Sequence, residues 1–181
     1  MKKVLRYCSV LPALIMLFLI FGFSAQDGET SGSLSFRICC AILSFADRIF
    51  SWNLSEPTFY SHAESMQFFV RKAAHVTEYF LLTLSIFLPL RVLVFEHLFR
   101  STNSADNHRC LHHFLCKLLL PSILLSVVCA GLDEFHQSFV PGRCGTPVDV
   151  LIDSIGILLA CIILVLCHRR GKSAHKIGEY L

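Results

Sequence analysis

Apolar residues in this chain are bunched into long runs instead of recurring every three or four positions as on a soluble helix. Four runs approach or exceed the roughly 20 predominantly apolar residues that a membrane-crossing helix needs: residues 4–23, 68–94 (with Pro89 inside), 114–137 and 148–167. Each is predicted to be a transmembrane helix. Between the first two, residues 34–52 follow another period. At 100° per residue Leu34, Ile38, Ala41, Ile42, Phe45, Ile49 and Trp52 share one side, with Arg37, Ser44, Asp47 and Arg48 outside it. That pattern predicts an amphipathic helix lying in the membrane interface or dipping partway in. Residues 53–64, interrupted by Pro57, are expected to form a loop. The expected fold is all-α: a polytopic transmembrane helical bundle of four spans plus one interfacial amphipathic helix between spans one and two, with residues 1–181 in a single domain.

Composition supports a membrane solvent. The 181 residues are 54% hydrophobic and 16% charged, too little charge to cover a soluble surface. A net charge of +3 gives no case for nucleic acid as a partner. The nine cysteines form no CxxC pair and no zinc spacing, so neither a disulfide framework nor a metal is expected. The first run also begins basic like a signal peptide, but Phe23-Ser24-Ala25 is a poor cleavage pattern and the segment is expected to be retained.

Charge distribution predicts orientation. Lys2, Lys3 and Arg6 precede the first span, Arg91, Arg100, Arg109 and Lys117 lie around the middle loop, and Arg169, Arg170, Lys172 and Lys176 follow the last span. Acids dominate residues 24–67 instead. Both termini and the middle loop are therefore expected in the cytoplasm of a multi-pass protein of the cell membrane. In that topology every strongly polar cluster at a span end falls on the outer face. Ionisable groups within spans cost several kcal/mol and normally face a bundle interior in mutual pairs. Arg71, His75 and Glu78 share a helix face, Tyr79 follows His75 by one turn, Asp133 and His136 are three apart, and Asp149, Asp153 and Gly156 continue one face. A bowl is expected at the outer leaflet, with Arg71, His75 and Glu78 facing Asp133, Glu134, His136, Asp149 and Asp153.

These residues carry a resemblance to the VanZ-like membrane family. It rests on Arg71-Lys72-x-x-His75-x-x-Glu78-Tyr79, on Asp133-Glu134-x-His136-Gln137-Ser138-Phe139-Val140-Pro141-Gly142-Arg143, on Asp149-Val150-x-x-Asp153-x-x-Gly156, and on Phe23 to Gln26. Relatives often carry asparagine at the position of Asp153 and a second glycine at that of Ala160. The resemblance implies a polytopic membrane protein of a family named for a gene that accompanies glycopeptide-resistance clusters. That gene is associated with reduced susceptibility to teicoplanin, a lipid-tailed glycopeptide, and no reaction is established for the family.

The chemistry admits several readings. Arg71, His75 and Glu78, with Tyr79, Gln137 and Arg143, suit an anionic lipid headgroup or a lipid-linked envelope molecule. Lys72 is expected merely to anchor the span end as a snorkelling residue. Pro141-Gly142-Arg143 reads as a turn that aims Arg143 back over the bowl. Asp133, Glu134 and His75 are the candidates for acid/base work in an enzyme acting on an envelope lipid; in a purely structural reading the acids lock helices together. No HExxH or paired ExxH motif is present, so no metal and no cofactor is expected. Ser138 and Cys144 lack a paired base. His108, His112 and His113, with Arg109 and Cys110, read as surface loop. Nothing in the sequence bears on oligomeric state.

Overall fold

The computed structural model describes residues 2–98 and 114–178, all-helical apart from short connections. Five α-helices follow in order: α1 (Lys2–Ser24), α2 (Gly28–Phe50), α3 (Glu56–Leu98), α4 (Leu120–Gln137) and α5 (Pro147–Gly178). The loop histidines 108, 112 and 113, with Arg109 and Cys110, lie outside the described residues. Among the described residues, four segments are long and apolar enough to cross a membrane: Tyr7–Ser24, Glu56–Val92, Leu115–Gln137 and Pro147–Arg170.

The expected loop over residues 53–64 is a correction. Only residues 51–55 connect α2 to α3; Ser51 and Asn53 adopt left-handed backbone, and Asp47 accepts a hydrogen bond from the Leu54 amide (3.3 Å). Pro57 breaks nothing, because it sits in the first turn of α3, where its fixed φ suits a helix and no intrahelical partner is lost. The 43 residues of α3 reach roughly 64 Å at 1.5 Å per residue, about twice the hydrocarbon thickness. Its first half therefore extends past the bundle and pairs with α2 as a helical hairpin.

Two cores result. The larger joins Ile20, Tyr79, Leu82, Ile86, Ala130, Ile157 and Cys161 from α1, α3, α4 and α5; the smaller packs Cys39 and Leu43 of α2 on Ala63 of α3. The apolar side of α2 predicted from its period stays open, with Phe45 68% exposed and Ile49 57% exposed. A π-helical turn, Leu115–Leu119, leads into α4 just before Pro121. A proline clashes with the carbonyl four residues back, and the wider turn relieves that contact without breaking the helix.

α3 packs against all four other α-helices. Where it crosses α5, a Cβ on Gly156 would overlap the Val76 carbonyl. Ala160, one turn on, is fully buried, so a methyl is accommodated there. Between α3 and α4, the Thr83 hydroxyl donates to the Tyr79 carbonyl (2.8 Å) and lies 3.0 Å from Ser126 Oγ, from which it can accept, so both buried hydroxyls are satisfied.

Candidate functional site

The polar residues of α3, α4 and α5 meet at one end of the bundle. α4 stops at Gln137, and the chain turns through Pro141 and Gly142, the latter at φ +71°, a conformation that favours glycine. The Gly28 amide donates to the Pro141 carbonyl (3.0 Å), and a Cβ on Gly28 would strike Gly142. The α1–α2 elbow is thereby seated on the α4–α5 loop. Asp27 caps α2 by accepting from the Thr30 amide (2.6 Å), which holds its carboxyl below the usual carboxylate range.

This seating fixes Arg143. Its Nη2 donates to the Phe23 carbonyl (3.0 Å), and burial, then the neighbouring Arg71 charge, pull its guanidinium below the ordinary value. The turn places Arg143 on the lining of a cleft at this end of the bundle.

The structure divides the expected bowl into two neighbouring parts. The first is a cleft of about 190 Å³ between α1, α2 and α3, open on one side. Arg71, His75, Glu78 and Arg143 supply its charged lining; Ile20, Phe23, Leu34, Ile38 and Val70 supply an apolar wall. The second is a carboxylate cluster behind it. Asp133 and Asp153 are 0% and 1% exposed, and Glu134 and Gln137 are buried beside them. Gln137 donates to Asp133 (3.1 Å), and Glu134 accepts from the Thr146 amide (3.0 Å), so the Glu134 carboxylate tethers the start of α5. His75 joins the two parts: its Nδ1 lies 3.7 Å from Glu78 and 3.8 Å from Asp153, electrostatic contacts longer than hydrogen bonds. Tyr79 is fully buried in the core, with its hydroxyl 3.5 Å from the Cys129 carbonyl. His136 leans edge-on to Phe21 of α1, ring centroids 6.1 Å apart.

Lys72 departs from its expected anchoring role. Its ammonium is paired with Asp149, both side chains about one-fifth exposed, and also lies over the Phe68 ring. Sequence spacing could not reveal a partner 77 residues away. The α1 and α2 contributors to the cleft were likewise absent from the expected bowl, although Ser31, Leu34, Ser35 and Ile38 follow a helical face.

Six buried polar atoms at this end have no hydrogen-bond partner among the described residues: Ser24 Oγ, Arg71 Nε, His75 Nδ1, Asp133 Oδ1, His136 Nδ1 and Asp153 Oδ2. Such atoms ordinarily find partners in folded proteins, and here they are concentrated at one end of the bundle. No group of three or more His, Cys, Asp or Glu among the described residues has metal-holding geometry. Ser138 donates to the Phe135 carbonyl (2.7 Å), and Cys144 is exposed.

A family model described as VanZ/LLP1 matches residues 9–168, from α1 to near the end of the last span. No curated protein and no solved structure matches the chain.

Proposed function

Because this membrane protein belongs to the VanZ/LLP1 family, we propose that it binds lipid or lipid-linked envelope molecules at an extracytoplasmic polar site of the cell membrane, and that this binding underlies resistance to teicoplanin-type glycopeptides. The observation that carries the reading is the cleft, where charged residues face an apolar wall at the end of a transmembrane bundle. A ligand suited to such a surface has a polar head and a hydrocarbon tail. Basic residues gathered at the opposite span ends support an outward-facing site with both termini in the cytoplasm. Cells with and without the protein are compared for susceptibility to teicoplanin and to vancomycin, which lacks the lipid tail. Protection is expected against teicoplanin and much less against vancomycin; an equal shift for both, or none for either, counts against the reading.

One observation favours a second reading, a membrane enzyme acting on an envelope lipid or lipid-linked precursor. His75 stands in the cleft between Glu78 and Asp153, an imidazole flanked by carboxylates as acid/base groups are. The Glu134 carboxylate already accepts from Thr146, which leaves His75 the stronger candidate. On this reading His75→Ala changes the envelope-lipid mass spectrum of cells carrying the protein, while an unchanged spectrum excludes it.

A further inference from the structure

Two arginines share the cleft, and neither has an acidic partner within ion-pair distance among the described residues. Arg71 comes from α3 and has a buried Nε without a hydrogen-bond partner. Arg143 comes from the loop after α4 and uses one nitrogen on the Phe23 carbonyl. Glu78 is the one carboxylate among the described lining residues, so the lining sets two guanidiniums against one carboxylate, while Asp133 and Glu134 act on Arg143 only from behind the cleft. Partly buried guanidiniums side by side repel each other, and an anion bound to both relieves that repulsion while satisfying their remaining donors. Ser24 Oγ, also on the lining and 98% buried, adds an unpartnered hydroxyl.

The rest of the cleft says what the anion is attached to. Its volume of about 190 Å³ is below the roughly 300–1,000 Å³ of pockets that enclose a whole drug-sized ligand, so it holds a headgroup and leaves the remainder outside. Leu34 and Ile38 carry its wall outward, 40% and 43% exposed, onto the open apolar side of α2 with Ile42 and Phe45. A hydrocarbon chain leaving the cleft therefore meets a continuous apolar surface.

We infer that Arg71 and Arg143 together bind the phosphate of a phosphate-bearing amphiphile whose tail runs out along α2. This rests on the lipid-binding reading above and specifies its headgroup. A membrane phospholipid and a polyprenyl-linked envelope intermediate both present that chemistry.

The test uses the full-length protein in detergent, with binding followed by native mass spectrometry. The probes are dioleoyl phosphatidic acid, undecaprenyl phosphate, dioleoylglycerol and glycerol 3-phosphate. At least one phosphate amphiphile is expected to bind roughly tenfold more tightly than dioleoylglycerol, about 1.4 kcal/mol, and the stronger of the two names the source. Glycerol 3-phosphate, without a tail, is expected to bind more weakly than either. Arg71→Gln and Arg143→Gln are each expected to remove the tenfold preference, whereas Arg37→Gln, at an exposed position of α2, keeps it. Ser31→Phe fills the cleft with both guanidiniums intact and is expected to abolish binding, which covers the case in which an arginine variant fails to fold. Dioleoylglycerol binding as tightly as both phosphate amphiphiles overturns phosphate recognition while lipid binding survives. Failure of all the lipids to bind overturns both.

Discussion

Replacing Gly156 with leucine is expected to remove most of the folded protein, and Gly156→Ala to lower its melting temperature by several degrees. A Cβ at this position overlaps the Val76 carbonyl and reaches 2.9 Å from the Phe80 nitrogen, so it meets backbone that no rotamer change can move. Ordinary overpacking costs roughly 1–3 kcal/mol, and forcing two backbones apart belongs at or above the top of that range. The consequence is larger in a membrane, where association of spans depends on close packing because lipid tails are as apolar as the side chains. Separation of α3 from α5 would also pull Lys72 from Asp149 and His75 from Asp153. Gly22→Ala and Gly131→Ala provide the comparison, since a Cβ at either meets nothing within 4 Å. Monodispersity and thermal melting of the four detergent-solubilised variants read the result. If Gly156→Ala melts like Gly22→Ala, the close approach of α3 and α5 does not hold the bundle.

The Lys72–Asp149 pair carries the second large effect. Removing one partner of a buried ion pair costs roughly 3–5 kcal/mol, because the charge left behind is uncompensated. These side chains are 19% and 20% exposed, which reduces the cost toward the lower end of that range without reducing it to the near-zero value of a surface pair. Lys72→Met and Asp149→Asn should each destabilise the protein, and the double variant should recover part of the loss. The coupling expected for residues in direct contact is about 0.5–3 kcal/mol. Melting temperatures of the four proteins in the cycle measure it. Additive losses would return Lys72 to the role of a span-end anchor.

The split of the polar end into a cleft and a carboxylate cluster changes which substitutions inform on binding. Asp133 and Asp153 lie among α3, α4 and α5, so their loss perturbs packing together with any ligand. Arg71 and Arg143 line the open side, and their loss reports on the ligand more directly.

Much of this was determined by the sequence alone. Run lengths predicted four helices able to span a membrane, because hydrocarbon thickness fixes how many apolar residues a crossing needs. A change of period marked α2 as a separate amphipathic helix, and helical spacing put Arg71, His75 and Glu78 on one face. Local rules failed only mildly, as at Pro57, which starts a helix where its presence suggested a loop. What the tertiary structure decided are the contacts between distant residues. Lys72 meets Asp149, Arg143 reaches Phe23 across 120 residues, and Gly28 seats on the Pro141–Gly142 turn. Periodicity assigns a residue to a face of its own helix, but the rotation and depth at which two helices meet depend on the packing of both. That is why the ionisable residues could be found in the sequence, while their division between an open cleft and a closed cluster could not.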